Sequence, residues 1–252
     1  MRSILSVGDT MEFTFHPEFW LAVGQIIMID ILLGGDNAVV IALACRKLPP
    51  RQRMLGIFWG TGGAIVLRVI LIFFALTLLT IPYLKLVGAL LLMWIGIKLL
   101  LPEDGDKHGK LQSSERLWAA VKTVVVADFV MSLDNVIAIA GSAEGAGDEH
   151  KMLLVIFGLV VSIPIIVWGS QLVVKLMDRF PIVITLGGML LGWIAGGMAV
   201  SDPALLPILS GEYGIAKVPQ ATVYIASIIG ALFVLFMGKW LASRQVQEKE
   251  EN

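Results

Sequence analysis

The chain has 252 residues, of which 57% are hydrophobic and only 15% charged, against about 25% charged in soluble domains, so it is suited to a lipid bilayer. Its formal net charge of −1 offers no basic field for nucleic acid. The single cysteine, Cys45, excludes an internal disulfide and a cysteine-based zinc or iron–sulfur site.

Residues 1–19 carry Asp9, Glu12 and Glu18 and no apolar run, which reads as an extracytoplasmic segment and not as a signal peptide. Seven apolar segments follow, at 20–44, 54–78, 81–101, 117–141, 152–174, 181–200 and 221–241. Each has about the 20 residues that a spanning helix needs, and backbone groups in lipid must be bonded within their own segment. The expected fold is an all-α membrane protein with seven transmembrane helices. The connections at 45–53, 102–116 and 175–180 are rich in Lys and Arg, among them Arg46, Lys47, Arg53, Arg116 and Arg179. Those at 79–80, 142–151 and 201–220 hold only Lys151 and Lys217. Positive charge marks the cytoplasmic side. The N-terminus is therefore expected outside the cytoplasmic membrane and the tail at 242–252 inside. The end of that tail, Glu248-Lys249-Glu250-Glu251, reads as disordered, and the acidic loop residues Glu144, Asp148 and Glu149 as solvated.

The chain repeats itself. Asp30-Ile-Leu-Leu-Gly-Gly-Asp36-Asn37 returns 98 positions later as Asp128-Phe-Val-Met-Ser-Leu-Asp134-Asn135. Met54-Leu55 and Gly60 return as Met152-Leu153 and Gly158, and the run from Gly88 to Gly96 returns as Gly187 to Ala195. Residues 20–101 and 117–200 thus form two three-helix repeats, with 221–241 as an additional seventh helix. Three is odd, so the second unit enters the membrane from the opposite side. Such inverted repeats are an architecture of secondary transporters, with the site between the repeats near the midplane.

A charged side chain at a helix centre costs roughly 2.5–3.5 kcal/mol. Asp30, Asp36, Asp128 and Asp134 together would cost on the order of 10 kcal/mol if nothing offset them. Arg68 is the one cation at mid-membrane level and reads as the charge partner of one of them. The remaining acids call for a bound cation or for protons. Asn37 and Asn135 place neutral amide oxygens beside the acids, and an all-oxygen donor set favours a hard divalent ion such as manganese, magnesium or calcium. The candidate metal ligands are therefore Asp30, Asp36, Asn37, Asp128, Asp134 and Asn135. At about 1.5 Å of rise per residue, Asp36 falls roughly 6 Å inside the midplane and Asp134 roughly 7 Å outside it, with Asp30 and Asp128 near the centre. The expected levels are an outer one with Asp30 and Asp134 and an inner one with Asp36 and Asp128.

Six residues of helix turn about 600°, which separates positions 30 and 36 onto different faces. Gly34-Gly35 between them offers a place for the helix to break and free carbonyl oxygens, and Ser132-Leu133 stands there in the second copy. Met93 and Met131 are possible soft donors, although packing is the commoner role of such methionines. Gly188, Gly192 and Gly196, spaced by four, give a small face for close helix packing. Trp94 and Trp193 read as interface or packing residues. His16, His108 and His150 have no ligand spacing.

Gly34-Gly35-Asp36-Asn37, with Ser132-Leu133-Asp134-Asn135 in the second half, resembles the TerC family of integral membrane proteins, in particular its short YjbE-like branch. The resemblance covers essentially all seven helices. It implies efflux of manganese across the cytoplasmic membrane, with Asp36, Asn37, Asp134 and Asn135 at the motif positions. The leading expectation is a membrane transporter exporting divalent metal ions, Mn2+ before others, as cargo and with no cofactor. Its partners would be the ion and the lipid bilayer, with no nucleic acid. A transporter of another substrate, such as calcium or an amino acid, and a non-transporting scaffold in stress response or secretion are the alternatives. No Ser/His/Asp set, phosphate loop or His-Glu metal motif points to an enzyme.

Overall fold

The computed structural model describes residues 17–102, 113–142, 151–205 and 218–250, and within these the side chains at 17–19, 22, 25–26, 29–34, 75–77, 79–80, 113, 134–142, 151–155, 246 and 248–250 lie outside the description. The three histidines, the acidic loop residues Glu144, Asp148 and Glu149, and the first 16 residues also lie outside the described residues. Seven α-helices account for most of what is described: α1 (Pro17–Cys45), α2 (Pro50–Thr80), α3 (Leu84–Leu100), α4 (Ser113–Ser142), α5 (Lys151–Arg179), α6 (Ile182–Val200) and α7 (Gln220–Glu250). They follow the seven apolar segments in order.

Several helices run past the apolar runs that mark them, because backbone hydrogen bonding continues where hydropathy falls. The largest difference is at the end of α7, which stays helical to Glu250 where a disordered tail was expected. Ala242, Arg244, Gln245 and Gln247 are good helix formers, and a helix leaving a membrane needs no further apolar residues. The break for which Gly34-Gly35 offers a place does not occur, since α1 is one continuous helix from Pro17 to Cys45. Two glycines cost a helix about 1 kcal/mol each, whereas each unbonded backbone group in hydrocarbon costs several. The intact helix is the cheaper state.

Among the described residues, four segments are each long and apolar enough to cross a membrane: Pro50–Phe74, Ile156–Arg179, Ile182–Val200 and Gln220–Gln245. Gly35–Cys45 is a shorter apolar stretch. The outer surface is apolar along these helices, with Val66, Phe73, Trp168 and Phe236 exposed, while Arg68, Asp128 and Ser132 are buried. A soluble protein distributes these residue types the other way round.

The helices pack in two groups. In one, α1 lies against α5, α2 against α4, α1 against α4 and α2 against α5. In the other, α3, α6 and α7 contact one another, and α3 also touches α4 as α6 touches α1. The tightest contact is between α6 and α7. A Cβ on Gly192 or Gly196 would collide with the backbone of Gly230 and Ala226, so only glycine allows this approach. Gly188 meets the Leu100 side chain instead.

The two ends of the molecule differ. At one end Arg46 Nη2 donates to Leu99 O at 2.9 Å and Lys47 Nζ to Leu101 O at 2.8 Å, so basic side chains satisfy carbonyls at the C-terminus of α3. Arg53 bridges Arg46 O and, at 3.3 Å, Asp178 near the end of α5. At the other end Tyr83 stands before α3 in the left-handed conformation, with φ 65°. Its N–H donates to Asp202 Oδ1 at 2.8 Å, and Leu86 N–H donates to Asp202 Oδ2 at 3.1 Å. Asp202, just past α6, thereby caps α3.

Candidate ion site

The four-helix group places its polar residues along the inside. On α2, Gly60, Ala64 and Arg68 are spaced by four and so share a face. A Cβ on Gly60 or Gly63 would come within 3.0 Å or 2.9 Å of Val124 or Val125 on α4, which brings the two helices close enough for Arg68 to reach across. On α4, Asp128 and Ser132 are one turn apart on the side that meets Arg68.

Arg68 Nη2 donates to Asp128 Oδ1 at 2.6 Å, Arg68 Nε to Ser132 Oγ at 3.2 Å, and Ser132 Oγ to Asp128 Oδ2 at 3.2 Å. The two charged side chains are 3% and 6% exposed. At that depth neither charge is tolerable alone, and the ring of three residues neutralises both while engaging both carboxylate oxygens. Asp128 is thus the acid paired with Arg68. The bridging role of Ser132 was missed in the sequence reading, where it appeared only as the replacement for a glycine. Its spacing of four from Asp128 was the available signal.

On α1, Asp36 lies within electrostatic reach of both Asp128 and Arg68. Its Oδ1, together with the Oδ1 and Nδ2 of Asn37, is buried with no hydrogen-bond partner among the described residues. Asn37 is 4% exposed. An unsatisfied buried polar group costs about 1–3 kcal/mol, so adjacent orphan groups on one turn call for something that binds there. Gly35, beside Asp36, faces open space: a Cβ there would meet nothing within 4 Å. Thr61 Oγ1 on α2, two turns before Arg68, is likewise buried without a partner among the described residues.

Of the residues expected to form the site, the structure therefore brings together Asp36, Asp128 and Arg68, with Asn37 adjoining Asp36 on α1. Asp30, Asp134 and Asn135 lie on α1 and α4, but their side chains are outside the described residues. Among the described residues no three His, Cys, Asp or Glu side chains form a metal-holding group. Met131 is buried and Met93 partly buried in an apolar cluster with Leu92 and Ala127, which assigns both to packing. Trp94 and Trp193 face outward.

Comparison with known proteins adds three relatives. The sequence pattern described as "Integral membrane protein TerC family" matches residues 15–247. The membrane protein YjbE of Bacillus subtilis (strain 168) is 39% identical over 212 residues, which are 84% of this chain and 94% of that protein. The membrane protein YceF of the same organism is 28% identical over 198 residues, 75% of each. The inner membrane protein YoaE of Escherichia coli (strain K12) is 25% identical over 194 residues, 70% of this chain and 36% of YoaE. No solved structure matches the chain.

Proposed function

Since the chain belongs to the TerC family of integral membrane proteins, we propose that it is a multi-pass transporter of the cytoplasmic membrane that exports divalent metal ions, manganese before others. The observation that carries this reading is the buried, unpartnered oxygen pair of Asp36 and Asn37 beside an acid whose charge is already offset. A hard cation is what such a donor set lacks. In the proposed site Asp36 and Asn37 supply ligand oxygens from α1, and Asp134 and Asn135 supply their repeat counterparts from α4. Asp30 completes the acids, and Asp128 remains with Arg68.

The arrangement proposed is seven spanning helices in two inverted three-helix repeats plus α7. The packing supports it: exchanging α1, α2 and α3 for α4, α5 and α6 turns each principal contact into another one that is present. The α1–α5 contact becomes α4–α2, α3–α4 becomes α6–α1, and α1–α4 and α3–α6 map onto themselves. The repeats are not chemically equal, because Arg68 has the aliphatic Ile166 as its counterpart 98 residues on. The end that gathers Arg46, Lys47 and Arg53 is assigned to the cytoplasm by its charge.

The test is cellular manganese after a manganese challenge in cells lacking their own efflux, compared with Asp36→Ala and Asp134→Ala at matched membrane abundance. The parent is expected to lower cell manganese and both variants to fail. A parent without effect, or variants that work equally well, would remove the metal assignment and favour a scaffold or another substrate.

A further inference from the structure

Away from the ion site, two adjoining cavities lie at the basic end of the molecule. The first, of about 200 Å³, is a cleft between α1, α3 and α4, walled by Leu43, Ile95 and Ala120 and edged by Trp94. Lys47, Lys98 and Arg116 stand at its rim. The second, of about 690 Å³, is more open and is lined by Arg46 and Arg53 as well as Asp178. The two share Lys47, Leu48 and Arg116. An apolar slot thus leads into a basic mouth.

We propose that this cleft binds an anionic phospholipid of the adjacent leaflet, with its phosphate among Lys47, Lys98 and Arg116 and an acyl chain along Ala44, Leu99 and Ala119. Three features select that ligand. Lys47, Lys98 and Arg116 line the cleft, and among the described residues the carboxylate lining the mouth, Asp178, is held by Arg53 at 3.3 Å. A zwitterionic headgroup would bring its own cation against these side chains, whereas a net anion does not. Trp94 is exposed on the outer surface of α3, and Lys98 Nζ sits 4.9 Å from the centre of its ring one turn nearer the helix end. That order, aromatic ring below and cation above, matches the transition from hydrocarbon to headgroups. Finally, the slot is apolar where it runs inward along α1 from Lys47 to Ala44, about 4.5 Å at helical rise. A soluble anion would leave that part unused.

The experiment is native mass spectrometry of the purified full chain released from detergent, with dioleoyl-phosphatidylglycerol or dioleoyl-phosphatidylcholine added at matched concentration. Each cation near a charged surface is worth roughly a fivefold change in affinity. The parent is therefore expected to prefer phosphatidylglycerol by on the order of a hundredfold. Lys47→Gln/Lys98→Gln/Arg116→Gln should abolish the preference. Lys239→Gln/Arg244→Gln should keep it, since Gly238 beside Leu100 places that part of α7 at the same end while neither residue lines either cavity. Ala119→Trp, at an exposed position lining the slot, leaves every cation in place and should lose the preference by filling the space. Equal binding of the two lipids by the parent overturns the proposal. So does a triple variant that keeps the preference, a control pair that loses as much as the triple, or an Ala119→Trp protein that binds like the parent.

Discussion

Arg68 and Asp128 make the strongest energetic demand of any residues described. Removing one partner of a buried pair leaves the other charge uncompensated, at about 3–5 kcal/mol. Arg68→Leu is therefore expected to lower the thermal midpoint of the detergent-purified protein sharply. Arg68→Leu/Asp128→Leu, which removes both charges, should recover most of that loss, and strict additivity of the two single losses would refute the pairing. Ser132→Ala should cost only about 1 kcal/mol, because the direct Arg68–Asp128 bond survives. Asp36 should respond in the opposite sense. Its Oδ1 has no partner among the described residues, so Asp36→Asn is expected to leave the melting temperature unchanged or raised while manganese efflux is lost. A large drop in stability would instead make Asp36 a structural acid. The sequence alone offers four aspartates of similar appearance; distinguishing the compensated one from the one available for a ligand took the contacts across helices.

At the scale of the element, the ends of α3 are held by residues distant in the chain. Asp202 reaches back 119 positions to cap its first turn, and Arg46 and Lys47 bond the carbonyls at its last. Burial alone would raise the Asp202 carboxyl, but backbone N–H donors from Ala204, Tyr83, Leu86 and Lys85 outweigh it and hold the group below the usual carboxylate range. A carboxylate held low stabilises the fold above its unfolded value, near pH 4, and loses that contribution as pH falls through the folded value. The stability gap between the parent and Asp202→Asn should accordingly be full at pH 6 to 7, at about 1 kcal/mol for a lost cap. It should narrow under acid, and a gap that widened below pH 4 would contradict the charged cap. The α6–α7 contact depends on glycine in the same non-local way. Gly196→Leu is expected to separate the helices and destabilise the protein by about 3 kcal/mol, since rigid backbone cannot yield as a side chain can. The glycine spacing was legible in α6, but its partner surface on α7 was not.

For the whole molecule, the proposed orientation makes a direct prediction in a Cys45→Ala background. A membrane-impermeant maleimide should label Pro82→Cys on intact cells and Arg51→Cys only after permeabilisation. The reverse pattern would invert the protein, and labelling of both from outside would break the inverted-repeat arrangement. Among the described residues, the all-helical fold and its seven elements were readable from the chain, as was the family, because hydropathy and main-chain hydrogen bonding in lipid are local properties of each segment. The duplicated acids were readable for the same reason, as each is an expensive exception within an apolar run. Only the tertiary structure decided that Arg68 selects Asp128 with Ser132 between them, and that Asp202 caps α3. These outcomes depend on which helix faces meet and how closely, and that is set by side-chain packing between segments far apart in the chain.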